Sequence, residues 1–218
     1  MLEAVTERLA SLIATNWLVL GAAALIGYLL GSIPFGLLVT RAGGAQDPRT
    51  IGSGNIGATN VLRTGRKELA ILTLLLDAAK GAVAVVLVNH VWPDPTPPSL
   101  PAIVAGAFAF VGHVYPVWLR FKGGKGVATF LGITLALYWP CGVAFAVIWL
   151  LAFFLTRHSS VGGMTAAIAT PVSAALISPD RSDLTLTFLL LALIVLWKHR
   201  ANVERLLDGT EPRFGSKG

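Results

Sequence analysis

Three short stretches of this chain set hydroxyls, amides, cations and glycines side by side, the mixture that holds phosphate. The first runs Ser53, Gly54, Asn55, Ile56, Gly57, Ala58, Thr59, Asn60, with Arg63 and Arg66 following one turn apart. The second is Lys122, Gly123, Gly124, Lys125, Gly126, directly before an apolar run that contains Thr129. The third places His199, Asn202 and Arg205 three apart and continues to Glu211. Gly52, Gly54 and Gly57 let the backbone approach a ligand closely. The glycines of the second stretch can form a nest of N–H groups, the following helix presents its positive end, and Lys125 adds a mobile cation. A P-loop is excluded, because GxxxxGK[ST] needs Ser or Thr where Gly126 stands. If the last apolar segment continues as a helix, His199, Asn202 and Arg205 share one face of it.

Each stretch alone also has a plain reading. The first can be a polar loop capping a helix, the second a flexible basic turn, and the third a juxtamembrane stretch drawn to anionic headgroups. Three such stretches converging favour a phosphate-binding site. The elements that must position them are set by composition: 55% hydrophobic and 13% charged residues, with a mean hydropathy of +0.72, describe an integral membrane protein. The 218 residues suffice for one polytopic domain and leave no room for a separate soluble one. The net charge of +6 is confined to short loops, which fits topology and anionic substrates rather than nucleic acid. Cys141 is the single cysteine and reads as a packing residue.

Hydropathy predicts seven spans: 17–40, interrupted at Ser32, Ile33 and Pro34, then 69–92, 100–119, 127–139, 141–156, 164–178 and 184–197. The fourth is short before Pro140, so it is half-length, tilted or packed inside the bundle. Residues 1–16 carry Leu2, Val5, Leu9, Leu12 and Ile13 at helical spacing and are expected to form an interfacial amphipathic helix. Alternate loops hold Arg41, Arg49, Arg63, Arg66, Lys67, Arg120, Lys122, Lys125, Arg157 and the basic residues from Lys198 onward, against Arg8 and Arg181 in the other set. The positive-inside rule then puts the amino terminus outside, the carboxyl terminus in the cytoplasm and all three stretches at the cytoplasmic face.

Within the apolar segments, Asp77 and Lys80 stand one turn apart and are expected to pair structurally. His113 either faces the site or bonds a neighbouring helix. Gly27 and Gly31 form a GxxxG that suits close helix packing.

Taken together, the pattern closely resembles the bacterial acyl-phosphate-dependent glycerol-3-phosphate acyltransferases, the PlsY family. The likeness rests on Ser53, Gly54, Asn55, Gly57, Thr59, Asn60 and Arg63; on Gly123, Gly124, Lys125, Gly126, Val127, Ala128 and Thr129; and on His199, Asn202, Arg205, Leu206, Gly209 and Glu211. Gly31 to Pro34 and Asp77 to Gly81 are similar too. The resemblance implies a seven-span protein of the bacterial inner membrane that moves a fatty acyl group from acyl phosphate to the 1-hydroxyl of glycerol 3-phosphate, giving lysophosphatidic acid and phosphate for phospholipid synthesis. It implies Ser53, Arg63, His199 and Asn202 as catalytic residues and Glu211 as structural. The expected substrate-binding set is Ser32, Arg41, Gly54, Asn55, Thr59, Asn60, Lys122, Gly123, Gly124, Lys125, Gly126, Thr129 and Arg205. No cofactor or metal is implied, and the expected partners are the two substrates, membrane lipid and the enzyme that supplies acyl phosphate.

The chemistry suits that reading, since acyl phosphate already carries a good leaving group and the enzyme has chiefly to position two anions and stabilise the carbonyl oxygen. Lys125 with its glycines would hold one phosphate, while Ser32, Arg41, Ser53, Asn60 and Arg63 hold the other or the oxyanion. Either His199 or the substrate phosphate accepts the hydroxyl proton. The rival from another class is a transporter of organic phosphate or other anions, which would place its substrate near the bilayer midplane. A soluble-type acyltransferase is disfavoured because no histidine has aspartate five positions on.

Overall fold

The computed structural model describes residues 17–95 and 97–215, and every regular element in them is helical. In chain order these are α1 (Trp17–Gly31), α2 (Phe35–Ala42), α3 (Ala58–Val61), α4 (Lys67–Val91), α5 (Leu100–Val114), α6 (Val127–Leu137), α7 (Trp139–Thr156), α8 (Ser159–Ile177), α9 (Ser182–Lys198) and α10 (Arg200–Leu207), joined in places by short 3-10 turns. The expected amphipathic helix at 1–16 lies outside the described residues. Five segments are long and apolar enough to cross a membrane: Trp17–Ala42, Lys67–Val91, Leu100–Leu119, Trp139–Thr156 and Ser159–Ile177. A sixth is the pair α9 and α10, bent by 54°. α6, with 11 residues, is shorter.

The break between α1 and α2 shows how irregular backbone survives in such a molecule. Pro34 has no N–H to give and interrupts the helical ladder, and carbonyls freed in an apolar medium must find other donors. Trp118 Nε1 donates to the carbonyl of Ser32 at 2.8 Å, and Lys80 Nζ to that of Ile33 at 2.7 Å. Long-range donors thus stabilise the kink that the sequence Ser-Ile-Pro begins.

Small residues decide which helices touch. A Cβ on Gly27 would stand 2.1 Å from the carbonyl oxygen of Ala105, and one on Gly31 would stand 1.9 Å from that of Ala109. The GxxxG of α1 therefore meets an Ala-x-x-x-Ala of α5 at the same spacing, backbone against backbone. Gly132 of α6 approaches the carbonyl of Ala78 in α4 equally closely, at 1.9 Å from its would-be Cβ.

α6 sits at the centre. Its Phe130 and Ile133 are fully buried, and the Phe130 ring lies 6.0 Å from Phe110, 5.4 Å from Phe145 and 6.0 Å from Phe188, so α5, α6, α7 and α9 share one aromatic core. A helix of about 16 Å enclosed by longer ones matches the expectation of a half-length segment inside the bundle. Its end differs from expectation: the chain turns at Tyr138, and Pro140 falls in the first turn of α7, where the missing N–H costs nothing. α8 also begins earlier than hydropathy suggests, at Ser159, because its first turn is polar and glycine-rich. Outward-facing residues such as Leu75, Val86, Leu151 and Leu176 remain exposed, an apolar exterior suited to lipid.

Gly31→Val forces the α1–α5 backbones apart and is expected to lower the detergent melting temperature sharply. Gly21→Ala, whose added methyl meets nothing within 4 Å, should leave melting unchanged or slightly raised.

Candidate active site

A cavity of about 710 Å³ opens where the three polar stretches meet, lined among others by Ser53, Thr59, Arg63, Lys125, His199, Asn202, Arg205 and Glu211. Asn55, Asn60 and Gly126 also reach its wall. Ser32, Arg41, Gly54, Lys122, Gly123, Gly124 and Thr129 do not line it.

In the first stretch Asn60 builds the loop. Its side-chain Nδ2 donates to the carbonyls of Pro48, Ile51 (3.1 Å) and Asn55 (2.8 Å), while Oδ1 accepts from the Ser53 N–H (3.3 Å) and Arg63 Nη1 (3.2 Å). Asn55 Oδ1 accepts the Gly57 N–H at 2.9 Å. Both amides were expected on substrate; the capacity of Asn60 is spent on shaping the loop that presents Ser53, Thr59 and Arg63, whereas Asn55 gives its oxygen to the loop and also lines the cavity. Gly52, at φ +51°, holds a left-handed backbone that other residues adopt only with strain, and a Cβ there would also crowd Asn60 Oδ1 at 2.5 Å.

The second stretch corrects the expected anion nest. The Gly123 and Gly124 N–H groups donate to the carbonyls of Val114 and His113, each at 3.1 Å. These glycines are needed because the loop lies against the end of α5: a Cβ on Gly123 would be 2.1 Å from the His113 oxygen. What faces the cavity is Lys125, Gly126 and the start of α6, whose first amides have no side-chain cap. Ser32 is buried at the α1–α2 break, Thr129 is buried one turn into α6, and Arg41 ends α2 at the surface. Asp77 and Lys80 pair at 2.8 Å, as their spacing predicts.

The last apolar helix does not run straight into the third stretch: the chain bends by 54° between α9 and α10, and His199, Asn202 and Arg205 all line the cavity. His199 sits at the bend, and α10 carries Asn202 and Arg205. His199 Nδ1 lies 2.8 Å from the Val195 carbonyl. A carbonyl only accepts, so Nδ1 carries the proton and Nε2 keeps its lone pair. Asn202 links two charges: Oδ1 accepts from Lys125 Nζ, and Nδ2 donates to Glu211 Oε1 at 2.6 Å. An ammonium on one side and a carboxylate on the other fix which end of the amide is which. Glu211 also accepts from Ser160 Oγ at 2.6 Å and from Arg205 Nε at 2.8 Å.

The charges set each other's protonation. Burial pushes Lys125 down to about 8, opposed by Glu211 and reinforced by Arg205 and Arg63. Burial, then the Lys125 cation, push His199 down to about 4. Burial disfavours ionised Glu211, but hydrogen bonds from Ser160, Asn202 and Arg205 prevail and hold its carboxyl below the usual range.

Several cavity residues lie outside the three stretches: Trp149 and Arg157 of the α7 end, Ser160 of α8, and Phe214 of the tail. The Phe214 N–H donates to the Arg157 carbonyl at 2.8 Å and its ring packs on Phe153 at 5.3 Å, folding the tail back so that Glu211 reaches Ser160. Nothing local in the sequence marks Ser160; only the need of Glu211 for donors could have pointed to it.

A family model described as glycerol-3-phosphate acyltransferase matches residues 21–209. The chain belongs to that family. It is 54% identical over 196 residues to the glycerol-3-phosphate acyltransferase of Mesorhizobium japonicum, covering 90% of this chain and 96% of the relative. With the Agrobacterium fabrum enzyme of the same name it shares 52% over 208 residues, covering 94% and 98%. A crystal structure of PlsY, an integral membrane glycerol 3-phosphate acyltransferase in its glycerol 3-phosphate form, superposes with a TM-score of 0.82 at 34% identity, covering 90% of this chain and 96% of that one. Its lysophosphatidic acid form gives 0.81 at 32%, covering 90% and 95%. The chain is thus an integral membrane acyltransferase of phospholipid synthesis.

Two pH effects follow. On the expectation that Lys125 holds an anion, which requires its charged form, kcat/KM should fall as pH rises through about 8. Glu211→Gln, which removes a charge that raises the Lys125 value, should move that limb to lower pH; an unmoved limb in the rate profile would reject the coupling. For stability, the folded His199 value of about 4 lies below its unfolded value of about 6.5. The unfolded chain therefore takes up the proton first, and the melting temperature should drop between those values as pH falls. His199→Asn should flatten that drop.

Proposed function

We propose that this cavity transfers a fatty acyl group from acyl phosphate to the 1-hydroxyl of glycerol 3-phosphate, releasing lysophosphatidic acid and inorganic phosphate. The observation that carries the reading is the meeting of Lys125, Arg63 and His199 on one cavity wall from three distant parts of the chain. Two dianions must be brought together against their mutual repulsion, and clustered cations around a partly dry cavity lower that cost. The crystal structure of the related enzyme in its glycerol 3-phosphate form supports the acceptor.

In this mechanism Lys125 and the positive start of α6 hold one phosphate, while Arg63 with Ser53 holds the second or the developing oxyanion. The acceptor hydroxyl attacks the acyl carbon, the new ester C–O bond forms, and the bond from the acyl carbon to the phosphate oxygen breaks. His199, with a free Nε2 and a value near 4, is a weak base and a good hydrogen-bond acceptor; it orients the hydroxyl. The proton passes to a substrate phosphate, whose second pKa of about 6 makes it the better base at neutral pH. Asn202, bridging Lys125 and Glu211, acts by holding the lysine. The reading includes seven spans in a bacterial inner membrane, the carboxyl terminus and the cavity on the cytoplasmic side, and 14 basic residues in the cytoplasmic set of loops against 2 in the other support that orientation.

Purified protein in lipid, given acyl phosphate and labelled glycerol 3-phosphate, should form labelled lysophosphatidic acid. Movement of label across the bilayer with no product would instead support an organic-phosphate transporter. Lys125→Gln should reduce kcat/KM about 100-fold, and His199→Gln should lower kcat more than it alters KM; near-normal turnover in the latter would reject its role.

A further inference from the structure

Beneath the glycine loop lies a buried cluster that the transfer mechanism does not use. Asp77 on α4 and His113 near the end of α5 are 2% and 4% exposed, and both reach the cavity wall. Asp77 Oδ1 lies 2.8 Å from Lys80 Nζ and 3.5 Å from His113 Nδ1. Neither that oxygen nor His113 Nδ1 makes a well-aligned hydrogen bond, so Asp77 meets the ring by close packing rather than by a directed bond. Lys80 is itself anchored on the Ile33 carbonyl at 2.7 Å, which fixes the cluster to the α1–α2 break.

His113 grips the loop twice. Its main-chain oxygen accepts the Gly124 N–H at 3.1 Å. Its ring fills the space a Gly124 side chain would need, with Nε2 2.1 Å from the would-be Cβ. Lys125 is the next residue. The height and direction of the lysine over the cavity therefore depend on where the imidazole lies, and Asp77 stands against the far side of the ring, 3.5 Å from its Nδ1.

We propose that His113, oriented by Asp77, is a positioning residue that sets Lys125 for phosphate binding without touching substrate. The inference rests on the reading above in which Lys125 holds a substrate phosphate. Its distinctive consequence is steric. Gly124 does not have a left-handed backbone, and the three atoms nearest to an alanine methyl there all belong to the His113 ring, whereas alanine at Gly123 meets the main-chain oxygen of His113, which no side-chain change removes.

The test uses full-length protein in lipid, with kcat, KM for glycerol 3-phosphate and melting temperature measured for each variant. His113→Ala and Asp77→Asn should each raise KM about tenfold with kcat changed far less. Gly124→Ala should raise KM too, but the pair His113→Ala with Gly124→Ala should be no worse than His113→Ala alone, because the added methyl enters the vacated space. The pair His113→Ala with Gly123→Ala should multiply its defects. An unchanged KM in both His113→Ala and Asp77→Asn overturns the proposal, as does full multiplication in the Gly124 pair. Should His113→Ala lower the melting temperature too far to assay, Asp77→Asn, which keeps the volume, decides the matter on KM. If the wild-type protein makes no lysophosphatidic acid, the functional reading fails first. Calorimetric binding of glycerol 3-phosphate by wild type and Asp77→Asn then still tests the positioning: about tenfold weaker binding by the variant supports it, and equal affinity overturns it.

Discussion

Lys125 is an ammonium partly removed from water, and much of the surrounding polar structure is arranged about that charge. A buried ammonium loses hydration and tends to give up its proton, and burial and two nearby arginines push Lys125 in that direction. Glu211 opposes them. The carboxylate does not touch the lysine; Asn202 stands between, accepting from one and donating to the other. Ser160 and Arg205 add two further hydrogen bonds to Glu211, so the charge that supports Lys125 is itself stabilised. One ionic constraint thus joins α6, α8, α10 and the tail.

A second constraint acts on the backbone. Where a helix breaks inside an apolar bundle, each freed carbonyl needs a donor. The α1–α2 break is closed by Trp118 and Lys80, and the second of these also pairs with Asp77. The residues that make the kink possible are the same ones that lie under the glycine loop, so helix packing and the placement of the cavity are not separable. Close glycine contacts, Gly27 and Gly31 of α1 against α5 and Gly132 of α6 against α4, bring the backbones near enough for those side chains to reach.

The helical class, the short central segment, the Asp77–Lys80 pair and the GxxxG contact were legible in the sequence because each depends on neighbours within a turn or on bulk hydropathy. Within the candidate site the legibility was uneven. Ser53, Arg63, Lys125 and His199 line the cavity as their residue types suggest. Asn60 looked like a ligand amide but serves the loop, and Gly123 and Gly124 looked like a nest but lend their N–H groups to α5. Composition cannot distinguish a polar group awaiting a ligand from one already satisfied; only its partners do. The expectation that the last apolar helix continues through His199, Asn202 and Arg205 missed the 54° bend between α9 and α10, which has no proline or glycine to announce it.

What the sequence determined by itself was therefore local: which stretches are apolar enough to be helices, where proline stops them, where glycine permits close approach, and which residues carry charge. What only the tertiary structure decided was which of those charges meet. Ser160 and Glu211 are 51 positions apart, and Lys125 and Asn202 are 77 apart. Contacts of that separation are fixed by how helices pack and how the tail folds back through Phe214 onto Phe153 and Arg157, and packing is a property of whole faces that no short pattern encodes.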